Sequence, residues 1–439
     1  MRAGDRRALV VVGASLAGLR AARALRERGF TGTLTIVGDE PRPPYDRPPL
    51  SKRVLTAPGP PSGTELPVPP GLEARWRLGQ AAVRLDLAAR TVTLADGARL
   101  PYDGLVVATG SAARGWPATK PPPPAGVLTL RGWDDALVLR AALAAGGPLV
   151  VIGAGFLGGE IAAAARGRGL DVTLVEAASQ PLERAVGTTA GAYVAALHRE
   201  AGVALRTGTT VEGFLTGADG RLAGVRLDDG TAVRAGTAVL ALGGVPSTGW
   251  LAGSGLAHDG GVHCDPRLRV LRADGSVVPD VVAAGDVARV PQPLADGERL
   301  TLGHWTNAVE QGEAAAATLL AGRDPARAPG PFAAVPSFWS DLHGVRIRSV
   351  GLPAAADETR VVEHDLAGRR LEISYHRAGR LVGALTVGRT GRLAAYRSAL
   401  RERLSDGCLP FGSGRDRRAE DPPPASARPP GRREEAPRA

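Results

Sequence analysis

The chain has 439 residues, 44% of them hydrophobic, which is enough for two or three soluble domains, and it has no run of about 18 apolar residues that could cross a membrane. Its formal net charge is +10, yet only two of its 54 Lys and Arg residues are lysine, Lys52 and Lys120; enrichment in Arg and Ala follows base composition, so the charge says only that acidic partners or nucleic acid are favoured. The two cysteines, Cys264 and Cys408, lie far apart in no pair motif, which excludes a disulfide scaffold and points to a reducing, cytoplasmic setting.

The start, "RRALVVVGASLAG", has a basic lead and a short apolar run that ends in a glycine turn, so it reads as a first β-strand and not as a secretion signal. Residues 8–40, "ALVVVGASLAGLRAARALRERGFTGTLTIVGDE", give strand, glycine turn, Ala-rich helix, second strand and an acidic residue, which is a βαβ unit. Its turn is Gly13-Ala-Ser15-Leu-Ala17-Gly18, with Ser15 at the middle glycine of the dinucleotide fingerprint. The carboxylate that could reach an adenosine ribose is Asp39, with Glu40 as the fallback. "PRPPYDRPPLSK" (41–52) is a stiff loop ending in Lys52, and "LPYDGLVVATGS" (100–111) is a strand closing on a small-residue turn at Thr109 and Gly110. "TKPPPPAGV" (119–127) is an extended connector.

"PLVVIGAGFLGGEIAAAARGRGLDVTLVEAA" (148–178) repeats the first unit. Gly153 permits the tight turn, Gly155 lets backbone approach a pyrophosphate, and Gly158 lets helix pack on strand. Glu176 ends the next strand, where a carboxylate accepts from a ribose 2′-OH. Ala177, Ala178 and Ser179 follow with no arginine to pair a 2′-phosphate, so NADH is favoured over NADPH. "AVLALGGVPST" (238–248), with Gly244 in its turn, mirrors "LVVATGS". "VVPDVVAAGDVAR" (277–289) is another buried strand, ending at Gly285 and Asp286, where a carboxylate could bond a ribityl hydroxyl. "HWTNAVEQGEAAAATLLAG" (304–322) is an amphipathic helix. From about 332 the pattern changes to antiparallel strands and a final helix, and 413–439, rich in Pro, Arg and Glu, reads as a disordered tail.

Two dinucleotide sites in one chain imply hydride or electron transfer between two cofactors, one held tightly and one visiting. Enzymes that reduce disulfides or peroxide need a nucleophilic Cys soon after the first βαβ helix. Residues 39–60 contain none, and Cys264 reads as packing, so electrons should pass outward. His304 and His343 read as structural or interfacial, with no metal-ligand partner at useful spacing.

"GASLAG", "YDRPPLSK", "VVATGS", "VIGAGFLGGEIA", "AAGDVA", "HWTNAVEQG" and "PSFWSD" resemble, in order and spacing, the FAD-dependent ferredoxin reductases, bacterial enzymes related to putidaredoxin, rubredoxin and oxygenase-coupled reductases. The similarity covers about 8–405, and "RPPLSK" and "FWSD" are specific to this branch. It implies an α/β chain with two Rossmann-like dinucleotide-binding domains, for FAD and NAD, plus a C-terminal α+β interface domain. The FAD domain would be discontinuous, 1–115 and 245–325, with the NAD domain inserted at 116–244, the C-terminal domain at 326–410 and the tail at 411–439. FAD contacts carried over by motif are Ala17, Asp39, Lys52, Ala82, Arg131, Asp286 and Trp305. Ala82 stands where the family usually has Val, and His343 where relatives commonly have Tyr. Trp305 and Trp339 would wall the flavin. The resemblance sets Lys52 beside the isoalloxazine ring, where a compact ammonium fits a narrow gap and favours the anionic reduced flavin, and makes Glu160 its partner near the nicotinamide. The implied activity is an NADH-dependent ferredoxin reductase passing electrons through FAD to a ferredoxin-type iron–sulfur protein that serves a cytochrome P450 or a ring-hydroxylating oxygenase. Two other readings stay open: an NADH oxidase or rubredoxin reductase, and a flavoprotein with a binding role like the apoptosis-inducing-factor relatives. Nucleic acid is disfavoured, because the tail has Arg without interleaved aromatics and carries Asp and Glu as well.

Overall fold

A computed structural model describes residues 5–322 and 329–406; the expected tail and Cys408 lie outside them. Within the described residues the sequence repeat becomes two parallel sheets. The first has six strands in the order Arg269–Leu271, Val277–Ala283, Gly104–Val107, Ala8–Val12, Thr33–Val37, Arg75–Arg77. Only its outermost pair, Arg269–Leu271 with Val277–Ala283, is antiparallel. Ala8–Val12 is central and nearly all buried, which is why it reads as an unbroken apolar run. The helices Leu16–Glu27 and Trp305–Ala321 pack against each other so closely that a Cβ on Gly312 would lie 2.6 Å from the Ala17 carbonyl oxygen.

The second sheet has five parallel strands, Ala204–Thr207, Val172–Glu176, Leu149–Ile152, Thr237–Leu240 and Val127–Thr129. Each parallel sheet is accompanied by a three-stranded antiparallel sheet, formed by Ala82–Asp86, Thr91–Leu94 and Arg99–Pro101 in the first unit and by Val211–Thr216, Leu222–Leu227 and Ala232–Arg234 in the second. The mirrored turns meet, because Ser111–Ala113 pairs antiparallel with Gly244–Pro246. The chain therefore leaves the first unit and returns to it on neighbouring strands.

The final unit is a five-stranded antiparallel sheet in the order Ser337–Leu342, Val345–Gly351, Arg380–Val387, Arg370–Arg377, Glu358–Asp365, with the helix Arg392–Asp406 beside it. This matches the strands-then-helix reading. Its first strand contacts both Phe156–Gly167 and Trp305–Ala321, so all three units converge at one place.

Candidate functional site: a cavity where three units meet

One large cavity runs from the glycine turn of the first sheet to the C-terminal sheet. Gly13, Ser15, Ala17, Asp39, Lys52, Ala82, Thr109, Gly110, Arg131, Glu160, Gly285, Asp286 and Trp305 all line it. At its phosphate-sized end, Gly13 has φ +123°, and a Cβ there would lie 2.0 Å from the Ala108 carbonyl oxygen. Gly18 is not in the wall but makes the turn possible: its Cβ would lie 1.8 Å from the Gly13 carbonyl oxygen. The helix Leu16–Glu27 opens there with no acidic residue in its first turn and no side chain capping it, so its N–H groups are left for an anion. These features fit the pyrophosphate of a dinucleotide.

Asp39 is exposed at the rim, as the ribose reading requires. Glu40, the fallback, also lines the cavity but is already engaged. Its carboxylate accepts from Tyr45 Oη at 2.5 Å and from Arg47 Nη2 at 2.5 Å, while Tyr45 Oη accepts from the Trp133 N–H. Asp286 pairs with Arg131 at 2.7 Å and accepts from Ser111 Oγ.

At the far end, Lys52 follows the single turn Pro48–Ser51. Arginines of the second unit grip this segment. Arg140 donates to the carbonyls of Val54, Ala57 and Gly59, and Arg168 donates to that of Leu55. Lys52 Nζ lies 2.7 Å from Glu160 Oε2. The Glu160 side chain is only 7% exposed, and it also accepts from Ser51 Oγ at 2.5 Å on Oε2 and from Ser340 Oγ at 2.7 Å on Oε1. Aromatic rings complete this end. Trp305 Nε1 donates to Asp46 at 2.7 Å, its ring meets Trp339 edge to face at 6.1 Å, and Phe156 and Phe338 lie 4.7 Å apart. His304 lines the cavity against Phe338, and burial drives its pKa down to about 4, so it is neutral at physiological pH. His343 sits instead at an interface, its Nε2 2.9 Å from Nδ1 of His198.

Gly153, Gly155, Gly158, Glu176 and Gly244 lie outside this cavity. The first three form a second glycine turn. Gly153 has φ +102°, and a Cβ on Gly158 would lie 1.9 Å from the Gly153 carbonyl oxygen, whereas one on Gly155 would touch nothing within 4 Å. The counterpart of Gly155 in the first turn is Ser15. Glu176 is half-buried and accepts from the N–H groups of Ala154 and Ala178 at 2.6 and 2.9 Å, fixing it beside the turn. Gly244 lies on the ribbon joining the two units. The helix Phe156–Gly167 starts at this second turn, and its first turns place Phe156, Leu157 and Glu160 in the cavity wall, so one helix touches both sites.

Sequence reasoning gave no role to Ser51, Ser340, Tyr45, Asp46 or Arg47. Arg47, Ser51 and Ser340 sit inside the two branch-specific stretches, and Tyr45 and Asp46 directly precede the first; their contacts explain why these stretches extend beyond Lys52 and Trp339.

Residues 7–312 match the family model of the pyridine nucleotide-disulphide oxidoreductases, and 337–407 match the reductase C-terminal domain. Rhodocoxin reductase of Rhodococcus erythropolis is 38% identical over 399 residues, covering 89% of each chain. The ferredoxin reductase component of chlorobenzene dioxygenase from Cupriavidus sp. (strain PS12) is 37% identical over 354 residues, covering 78% of this chain and 80% of the relative. The solved covalent putidaredoxin reductase–putidaredoxin complex superposes with a TM-score of 0.81 at 30% identity, covering 90% of this chain and 93% of that one. Sheet order, paired glycine turns and these matches agree that the chain belongs to the pyridine nucleotide-disulphide oxidoreductase family and carries its reductase C-terminal domain.

Proposed function

We propose that this protein is an NADH-dependent flavoprotein reductase that takes hydride from NADH and delivers electrons to a ferredoxin-type iron–sulfur protein. One relative named above is the ferredoxin reductase component of a dioxygenase and another is solved in complex with putidaredoxin, which supports a cytochrome P450 or ring-hydroxylating oxygenase as the expected terminal acceptor. One observation carries the reading: the helix Phe156–Gly167 begins at the second glycine turn and sets Glu160 against Lys52 in the cavity of the first. A visiting nucleotide at one end of that helix is thereby brought to whatever fills the other.

FAD bound in the large cavity would supply the exchange between a two-electron hydride donor and one-electron acceptors. The chain's part is binding and electrostatics. Gly13 and the N-terminus of Leu16–Glu27 would receive the pyrophosphate, Asp39 the ribose, and Asp286 with Arg131 the ribityl and phosphate region. Lys52 puts a positive charge at the end that receives hydride, and Trp305, Phe338 and Trp339 keep water from it. Gly155 leaves room for the NADH pyrophosphate, and Glu176 would accept from the adenosine ribose and repel a 2′-phosphate. We divide the chain into 1–115 with 245–325 for FAD, 116–244 for NAD, and 326–410 as the face toward the protein partner, a division that the grouping of strands into separate sheets supports.

Despite the family's name, a thiol relay has no support among the described residues. Cys264 is wholly buried, and burial raises its pKa, so it is an unreactive thiol. No helix among the described residues is long and apolar enough to cross a membrane. The cytoplasmic setting we infer rests on the two cysteines, far apart and in no pair motif.

The test is anaerobic stopped-flow of the purified flavoprotein with NADH and with NADPH, followed by addition of a ferredoxin and cytochrome c. Fast bleaching by NADH, slow bleaching by NADPH, and cytochrome c reduction only with ferredoxin present are expected. Bleaching without onward transfer to any iron–sulfur carrier would move the assignment to an oxidase.

A further inference from the structure

We propose that Ser340, assisted by Ser51, is a positioning residue for hydride transfer, acting through Glu160 on Lys52. The inference rests on the reading of Lys52 and Glu160 given above. It adds that the C-terminal unit helps build the hydride end of the cavity, in addition to facing a protein partner.

Glu160 is a buried carboxylate, and a buried charge is tolerated only when its oxygens are matched by donors. Lys52 and Ser51 both serve Oε2, at 2.7 and 2.5 Å. Ser340 serves Oε1, at 2.7 Å. Donors on both oxygens fix the rotation of the carboxylate; with one side removed, it can turn about its last bond. Lys52 has a long, flexible stem, and its ammonium is held by Glu160 at 2.7 Å and, more loosely, by the Pro48 carbonyl at 3.3 Å. Glu160 is the nearer and the only charged of the two partners, so its rotation shifts where the cation sits in the cavity.

The three contributions come from three parts of the fold. Glu160 lies on the helix Phe156–Gly167, Ser51 and Lys52 on the proline-rich loop, and Ser340 on the strand Ser337–Leu342. Ser340 is 0% exposed and directly follows Trp339, which lines the cavity. An alanine would fill that buried site as well as serine and would carry no hydroxyl to desolvate. The hydroxyl is accounted for by the carboxylate it meets.

The test measures the limiting rate of anaerobic flavin reduction and the NADH dissociation constant for Ser340→Ala, Ser51→Ala, Glu160→Gln and the Ser340→Ala/Glu160→Gln pair, all as FAD-loaded full chains. Ser340→Ala should keep its FAD and its NADH affinity while the limiting rate falls about five- to twentyfold, the scale of one lost charge-assisted hydrogen bond. Ser51→Ala should fall in the same direction but less, because Lys52 still serves Oε2. In the Glu160→Gln background, Ser340→Ala should add little, since its effect runs through the charge already removed. A slowed Glu160→Gln with Ser340→Ala and Ser51→Ala at the parent rate overturns the proposal. So does a Ser340→Ala loss that adds in full to that of Glu160→Gln. Should Ser340→Ala fail to hold FAD, Ser51→Ala decides: its parent rate overturns the proposal and its slowing upholds it. A parent rate in Glu160→Gln itself would remove the Lys52–Glu160 reading beneath the proposal.

Discussion

His198 and His343 share a hydrogen bond between the helix Glu183–Glu200 and the turn after Ser337–Leu342. His198 is completely buried, and Gly159 leaves the room its ring needs: a Cβ there would lie 3.3 Å from Nε2. Burial drives the His198 pKa down to about 3, with the neighbouring His343 adding to it, and burial with Arg166 and Arg369 lowers His343. Both rings are neutral when folded, while the unfolded chain takes up a proton near the ordinary histidine value. Stability from this pair is therefore complete above about pH 6.5 and is lost as pH falls toward the folded value. Going from about pH 7 to about pH 5, the parent should lose on the order of 2 kcal/mol more stability than His198→Gln, read from denaturant midpoints at each pH. An equal loss in both would show that the pair is not the sensor. Single residues of this kind were the least legible in the sequence. Lys52 and Glu160 could be named from motifs, but Ser51 and Ser340 reach Glu160 across 109 and 180 residues, and no local pattern records such a contact. Asp39 and Glu40 are adjacent acids, which the sequence ranks only by position, Asp39 first with Glu40 as its fallback; that Glu40 is already paired with Arg47 is seen only in the fold.

At the scale of elements, the two glycine turns do the same job with different tolerances. Gly155 has an ordinary backbone conformation and open space around its Cβ position, whereas Gly158 is pressed against the Gly153 carbonyl. Gly155→Ala should keep its melting temperature and its turnover at saturating NADH but raise the KM for NADH by about tenfold or more, because the methyl enters the pyrophosphate's space. Gly158→Ala should instead unfold the second unit, visible as loss of a cooperative transition. If Gly155→Ala leaves the KM unchanged, NADH does not pass over this turn. Both βαβ units were legible because a strand–turn–helix pattern with three spaced small residues is a strong local signal. The two three-stranded antiparallel sheets were not singled out. Their strands are three to six residues long and half exposed, too short for alternation to stand out from loop sequence.

For the whole molecule, the net charge of +10 favours an acidic protein partner. Exposed charges are screened over a length of about 10 Å at about 0.1 M salt and much less at higher salt. The KM for an acidic ferredoxin should therefore rise severalfold between about 0.05 M and about 0.5 M salt, while the limiting rate of flavin bleaching by NADH changes little. A salt-independent KM would mean that docking is governed by apolar contact. The order of units was legible because it follows the repeat, yet their convergence on one carboxylate was not, since it exists only when all three have packed.

The ribbon of Ser111–Ala113 and Gly244–Pro246 also has a consequence for how the protein is made. The first sheet needs Val277–Ala283 beside Gly104–Val107, so it stays incomplete until the ribosome has passed the entire inserted unit. The second sheet, from Val127–Thr129 to Thr237–Leu240, has all its strands earlier. The middle of the polypeptide can thus finish folding before its beginning. The pocket that needs Asp286, Trp305 and Ser340 comes into being only after both parallel sheets have all their strands.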